Sequence, residues 1–494
     1  MSLSNEVLPP NIPIPELSFD DSDNSNLSTS DTTNNKNVSS IDGLIDKVGY
    51  TKYHFIMLLI VSLTTFIDGS EMIIINLFLS TFQEEWHLSP KEKSLLSSSI
   101  FIGFFVGSLI IGYLTNLLGR RIPSIIGTII VFLFTSFASY SNSLYQLILV
   151  RVFIGLGIGI FVPATTCLVT EWIPKNKRSF VLNVIWILFP IGIIYICIIS
   201  IYFIDENDIL LWRQVFKINS LSSLVIAIMT FFLYESPRYY FLLEEYDKAF
   251  EVIEKIGNIK LSYLEREDII NNSRMKKANE SYNGMTFLFK PNYFTITVIL
   301  GTLWFVSSFI SYGILYILPK LFDGIYLTSK KESILHTMKA MSILAFCPIF
   351  RGILSEIQFF GRKNTIILGF IGCIIFGILC SLIQKNNNYI SLYSGLLKFC
   401  INTSLGIITI YTCEIYPTKY RTISLGMGNA ITRIGSILTP FICEYISKFY
   451  TNGPFYLFIS CGLIGAISCY FLPYETCGVG LDEVGKEKKT KKFI

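Results

Sequence analysis

Charge is scarce in this chain: only 15% of its 494 residues are Asp, Glu, Lys or Arg, and histidine occurs three times. Soluble domains carry about 25% charged residues. With 51% hydrophobic residues and a mean hydropathy of +0.54, the chain falls in the membrane class. His54, His87 and His336 lie near the ends of apolar stretches, without metal-ligand spacing and without the Asp or Asn partner that a multi-pass acyltransferase would use. No enzyme, metal site or cofactor is therefore expected. No glycine-rich loop ending in lysine is present to cradle a nucleotide phosphate, which removes ATP-driven pumping. The net charge of +4 is small, and its one basic run, Lys486 to Lys492, speaks to orientation in a bilayer and not to a nucleic-acid partner. The 11 cysteines, Cys167, Cys197, Cys373 and Cys400 among them, fall almost entirely inside apolar segments, where they act as small hydrophobes and not as a disulfide framework.

Long apolar runs are what the chain does have. Roughly 20 residues at 1.5 Å each cross the hydrocarbon core of a bilayer, and twelve segments of about that length follow one another, near 55–79, 94–115, 122–141, 144–169, 179–203, 213–234, 293–318, 334–355, 364–384, 389–412, 422–447 and 454–473. The expected fold is an all-α membrane protein of twelve transmembrane helices in two pseudo-symmetric six-helix bundles, residues 42–235 and 293–475. Residues 1–41, rich in Ser, Asn, Asp and Thr, are expected to be a disordered tail, and 476–494 a basic tail. Between the bundles, the linker 236–292 repeats Tyr240, Leu243, Ala249, Val252, Ile253 and Ile256 at roughly helical spacing among charged residues, the pattern of amphipathic helices lying under a bundle. Arg120, Arg121, Lys175, Lys177, Arg178, Arg362, Lys363, Lys419 and Arg421 all fall in loops on one side, which by the positive-inside rule puts both termini in the cytoplasm.

One pattern occurs twice. Gly119-Arg120-Arg121, two apolar segments, then Glu171-Trp172-Ile173-Pro174-Lys175-Asn176-Lys177-Arg178 is echoed by Gly361-Arg362-Lys363, two apolar segments, then Glu414-Ile415-Tyr416-Pro417-Thr418-Lys419-Tyr420-Arg421. The glycines are 242 residues apart (119 to 361) and the glutamates 243 (171 to 414), so two halves of one design follow in the same orientation.

These loops and turns, with Trp212-Arg213, Glu235-Ser236-Pro237-Arg238 and Pro473-Tyr474-Glu475-Thr476-Cys477-Gly478, resemble the major facilitator superfamily over residues 41–484. The likeness is to the branch of sugar porters, organic cation and anion transporters and synaptic-vesicle-protein-related transporters. Asp68-Gly69-Ser70-Glu71 and Trp304 to Gly313 are most similar to the vesicle-protein-related and aromatic-acid transporters. The short stretch Thr81 to Lys93 departs from the long cysteine-containing ectodomain of the organic-ion transporters, and Leu303-Trp304-Phe305-Val306-Ser307-Ser308 departs from the paired glutamines of sugar porters. The family's usual loop Asp is replaced by Asn116 in the first copy and by Gln358, with Glu356 nearby, in the second. The resemblance implies a cytoplasmic gate of Arg120, Arg121, Glu171, Arg178, Glu235 and Arg238 with Arg362, Glu414, Arg421 and Glu475, whose ion pairs hold the bundles together when the site faces outward.

The chemistry is expected deeper in the membrane. Asp68 and Glu71 are three residues apart, share one face of the first helix and lie about halfway through it. A carboxylate there costs roughly 3 kcal/mol to insert and so must face water or a partner. Arg433 stands at a similar depth in the eleventh segment. Trp186, Trp304, Tyr312 and Tyr316 are candidates for a central aromatic wall among 72 aromatics (40 Phe, 27 Tyr, 5 Trp). Arg151 precedes Gly155, Gly157 and Gly159, and its counterpart by the repeat is Ser394, with Lys398 one turn on. The expected function is secondary active transport of a small organic solute by alternating access. A proton-coupled, carboxylated or vitamin-like anion is preferred, with Asp68 and Glu71 carrying the proton and Arg433 the anion. An organic cation held by cation–π contact, a sugar, and a non-transporting receptor or trafficking protein of the same fold are the alternatives. The expected partners are the solute, protons and the lipid bilayer, for a monomer in the plasma membrane or an internal vesicle membrane.

Overall fold

The computed structural model describes residues 41–173, 178–204, 209–258, 260–278, 288–324, 329–356, 361–383, 387–416, 420–450, 452–473 and 475. Pro174 to Lys177, Pro417 to Lys419, Gln358 and the tail residues 1–40 and 476–494 lie outside them. Among the described residues there is no strand. A short helix α1 (Ile41–Val48) leads into α2 (Lys52–Leu77), α3 (Leu79–Trp86), α4 (Pro90–Leu118), α5 (Arg121–Ala138), α6 (Leu144–Trp172), α7 (Arg178–Ile185), α8 (Leu188–Phe203) and α9 (Trp212–Thr230). The linker forms α10 (Pro237–Leu242), α11 (Tyr246–Gly257) and α12 (Tyr263–Ala278). Then come α13 (Pro291–Gly324), α14 (Lys330–Ser342), α15 (Cys347–Glu356), α16 (Gly361–Leu382), α17 (Asn387–Ile415), α18 (Arg421–Ser447) and α19 (Gly453–Tyr470).

Each of the twelve apolar segments falls on one helix or on two consecutive ones. Ten of these stretches among the described residues are long and apolar enough to cross a membrane. The other two, α9 and α18, are 19 and 27 residues long but more polar. Their polarity points inward: Asn219, Ser220 and Ser223 of α9 and Ser424, Thr432, Arg433, Ser436, Thr439 and Glu444 of α18 are buried. A helix that turns its polar face to its neighbours can sit in lipid with a lower mean hydropathy.

In the first bundle α4 packs on α6, α5 on α6 and α9, and α2 on α8; in the second, α16 packs on α17 and α19, and α13 on α17 and α18. Small residues set the closest crossings. A methyl group on Gly103 would lie 1.8 Å from the Val152 carbonyl oxygen, and one on Gly155 1.9 Å from that of Ile100, so α4 and α6 meet backbone to backbone. Gly69 and Gly192 do the same for α2 and α8, each with a carbonyl 2.0 Å from where a Cβ would stand.

Two spanning segments are broken near their middles. Between α7 and α8 the helix opens at Trp186 and Ile187, because Pro190 has no N–H to offer the Trp186 carbonyl. Between α14 and α15 a 3₁₀ stretch, Ile343–Phe346, precedes Pro348, which likewise leaves Leu344 without its helical donor. These two broken segments face each other across the bundles, α8 on α14 and α7 on α15, while the unbroken α4 and α18 make the other long contact between bundles.

The linker helix α11 buries Ala249, Phe250, Ile253 and Ile256 against Leu44, Met57, Trp172, Ile173 and Leu233, under the first bundle. Leu243, expected on the same stripe, lies just past α10 and is 48% exposed. Lys47 of α1 is paired with Glu265 of α12 at 2.7 Å, and this hydrogen bond holds the Glu265 carboxyl below its ordinary range. None of the ten described cysteines is in a disulfide.

Candidate functional site

Three polar assemblies are stacked through the membrane, and the first lies at the terminal face, where the chain enters α2 and leaves α19. Gly119 has φ +82°, which turns the chain sharply into α5 and lets the Glu235 carboxylate reach the helix start. Glu235 accepts the backbone N–H groups of Arg120 (2.9 Å), Arg121 (3.0 Å) and Ser236 (2.8 Å), satisfying donors that the first turn of a helix leaves open. The Arg120 guanidinium donates to Glu171 at 2.9 and 3.1 Å, and Arg121 donates to the Phe231 carbonyl at 2.9 Å. The second half repeats the arrangement. Gly361 has φ +65°, Glu475 accepts the N–H groups of Arg362 (2.6 Å) and Lys363 (3.0 Å), and Arg362 donates to Glu414 at 3.1 and 3.3 Å. In this state every one of these pairs runs within a bundle, not between bundles. Arg238 follows Glu235 at the start of α10, and the side chains of Arg178, Arg421 and Glu356 lie outside the described residues.

The second assembly fills the core of the first bundle. Glu71 is fully buried and takes a 2.6 Å ion pair from Arg151, a 2.8 Å hydrogen bond from the Thr135 hydroxyl and a 2.7 Å hydrogen bond from the Asn219 amide. Arg151 also donates to the Glu71 carbonyl at 2.6 Å. The four side chains come from α2, α5, α6 and α9, so one ion pair ties four of the six spanning helices of this half. Arg151 stood out in the sequence only as the basic residue ahead of a glycine run. Nothing in the spacing joined it to Glu71, 80 residues away.

The third assembly spans the two bundles. Asp68, one turn before Glu71, is 3% exposed, and its Oδ1 is buried with no hydrogen-bond partner. The guanidinium of Arg433, on α18 of the other bundle, stands close enough to act electrostatically on that carboxylate. Arg433 donates to the Tyr312 hydroxyl at 3.1 Å and lies over the Phe104 ring, 3.4 Å from its centroid, while its Nε is buried and unpaired. Tyr312 in turn packs edge-on against Phe101, with ring centroids 4.7 Å apart. Asp68, Arg433 and Tyr312 are thus brought together, with Phe101 and Phe104 of α4 added by the fold. Trp304 packs between α17 and α18, donating to Thr412 at 3.2 Å, and Trp186 stands at the α7–α8 break against Phe189. Tyr316 belongs higher up, donating to Glu444 at 2.7 Å. Behind α13, the buried Lys398 donates to the Ser311 carbonyl at 2.7 Å, one residue from Tyr312.

Above this level the bundles are sewn together. Ser98 donates to the Ile437 carbonyl (2.8 Å), Ser94 to that of Pro440 (3.2 Å), Asn76 to that of Leu315 (3.4 Å), and Lys330 pairs with Glu84 (2.7 Å). Towards the terminal face Arg351 of α15 donates to Asn183 of α7 at 2.6 Å, in space left by Gly406, where a Cβ would stand 2.0 Å from the guanidinium. The face opposite the termini is therefore shut in this structure. Arg351 was overlooked in the sequence, although a lone cation in an apolar run is a signal.

Comparison with known proteins agrees with the fold. The family model described as "Sugar (and other) transporter" matches residues 57–487. The chain is 26% identical over 463 residues to the synaptic vesicle 2-related protein of Bos taurus, covering 90% of this chain and 82% of that one. It is 24% identical over 494 residues to organic cation/carnitine transporter 7 of Arabidopsis thaliana, covering 91% and 97%. Among solved structures, the partially occluded inward open conformation of the xylose transporter XylE from E. coli superposes with a TM-score of 0.73 at 17% identity, covering 87% of this chain and 100% of that one.

Proposed function

Because the chain belongs to the sugar (and other) transporter family of the major facilitator superfamily, and is a multi-pass membrane transporter, we propose that it carries a small organic anion together with protons by alternating access. The observation that supports this reading is the pair of unpartnered polar atoms at the bundle interface, Asp68 Oδ1 and Arg433 Nε. A buried guanidinium needs a counter-charge, and a substrate carboxylate offers bidentate geometry. Asp68 competes for the same field. With Asp68 ionised, Arg433 is partly neutralised and the anion is held weakly; a proton on Asp68 removes that competition and opens the seat to the solute. Proton and anion then load together, the bundles rock, and both leave on the other side, the proton returning to water from the Asp68 carboxyl. Glu71 is engaged by three side chains and serves in this scheme to hold Asp68 in place through α2.

An organic cation is disfavoured by the same geometry, because the ring face of Phe104 is already covered by the protein's own guanidinium. A neutral sugar would leave Arg433 without a counter-charge once Asp68 is protonated. A vesicle membrane is the first location to examine, given the name of the Bos taurus relative, and the arginine-rich loops favour termini in the cytoplasm.

The experiment is uptake into proteoliposomes of radiolabelled monocarboxylates across an imposed pH gradient. Uptake should rise as the pH of the loading side falls. Asp68→Asn should abolish that dependence while exchange of solute across the membrane continues, and Arg433→Ala should raise the apparent KM at least tenfold. Unchanged pH-dependent uptake by Asp68→Asn sinks the coupling assignment, and an unchanged KM in Arg433→Ala sinks the anion seat. A chain that binds no solute and moves none would be the non-transporting receptor.

A further inference from the structure

Within the seal on the face opposite the termini lies a cavity of about 130 Å³, bounded by both bundles. Asn76, Gln83 and Lys93 line it from the first bundle, and Lys320, Lys330 and Ser333 from the second. No carboxylate is among its lining residues. The nearby acids are turned to other tasks: Glu444 sits behind Lys320 (2.5 Å) and the Tyr316 hydroxyl, Glu84 pairs with Lys330 while half exposed, and Glu92 caps its own helix at Ser89. Lys93 gives one hydrogen bond to the Gln83 amide oxygen and lies in the fields of both Glu444 and Lys320, with no ion pair to a carboxylate among the described residues. The helices α4 and α14 also begin here, and their N-terminal dipoles add positive potential to that of the lysines, offset in part by Glu92 and Glu332 in their first turns. Glu444 and Glu84 already compensate Lys320 and Lys330 from outside the cavity, which leaves the charge of Lys93 without a direct ion pair and the cavity side of all three ammonium groups open to an anion.

We propose that this cavity binds a small inorganic oxyanion, which bridges Lys93 of one bundle and Lys320 and Lys330 of the other and so holds this face shut. Its lining comes together only when the bundles meet, so the anion binds the shut state and stabilises it by mass action. The site is separate from Asp68 and Arg433 and does not depend on which solute they take. Oxyanion on this side of the membrane therefore acts as a brake on reopening.

Sulfate is the probe, titrated into the full-length protein in detergent at constant ionic strength, with a bulky buffer sulfonate as replacement anion. Wild type should show a saturable rise in melting temperature. Lys93→Gln should weaken the apparent sulfate affinity tenfold or more, and Lys93→Arg should keep it. In a Ser98→Cys/Ile437→Cys pair, sulfate should speed disulfide formation across the seal. The proposal is overturned if the rise follows ionic strength alone, if Lys93→Gln responds like wild type, or if sulfate leaves cross-linking unchanged. Should Lys93→Gln fail to fold, Lys330→Gln carries the same comparison.

Discussion

Glu71 and Arg151 illustrate how one residue pair can carry a whole bundle. Each is at most 1% exposed, and Glu71 is held further by Thr135 and Asn219, while Arg151 Nε is buried without a hydrogen bond. Removing one partner of a buried pair leaves an uncompensated charge and costs about 3–5 kcal/mol. Arg151→Ala should therefore lower the melting temperature of the purified protein far more than Asp68→Asn, whose carboxylate has no hydrogen bond on Oδ1 to lose. Equal losses from the two would contradict the division of labour between the carboxylates. A second residue-scale prediction concerns Gly119 and Gly361. At φ +82° and +65° a side chain costs roughly 1–3 kcal/mol, and its Cβ would meet the Glu235 or Glu475 carboxylate at 2.2 or 2.6 Å. Gly119→Ala and Gly361→Ala should each destabilise, and by similar amounts, since the two turns are built alike; differential scanning fluorimetry would read both.

At the scale of elements, the contrast between the two long bundle–bundle contacts is the main result. The α4–α18 contact joins uninterrupted helices, whereas the α7–α8 and α14–α15 segments are both jointed beside a proline. Pro190→Ala returns a donor to the Trp186 carbonyl and should make α7 and α8 one continuous helix. The expected outcome is a higher melting temperature with slower transport turnover; unchanged turnover would show that the joint plays no part in the cycle. Crossings set by glycine respond the other way. Gly155→Leu would force α6 off α4, where no room exists beside the Ile100 carbonyl, and folded yield should fall sharply.

For the whole molecule, the hydrogen bonds from Ser94 and Ser98 to α18 place the shut side opposite the termini, and the arginine–glutamate pairs of the repeat stay inside their own bundles. Oxidising the Ser98→Cys/Ile437→Cys pair should trap this state and stop transport, with reductant restoring it. Transport that continues in the fully cross-linked protein would mean that this face does not need to open.

Helix number, the twofold repeat and the arginine–glutamate turns were legible in the chain because each follows from local hydropathy or from spacing along it. So was the depth of Asp68, Glu71 and Arg433, since depth depends only on position within a span. What pairs with what was not legible: Glu71 meets Arg151, Arg351 meets Asn183, and Phe104 lies under Arg433 through contacts between segments 80 to more than 300 residues apart. The two carboxylates of α2 looked equivalent in sequence. Only the packing of four helices around one of them, and of the other bundle's arginine near the other, gave them different surroundings, because a buried charge takes its character from the neighbours that compensate it.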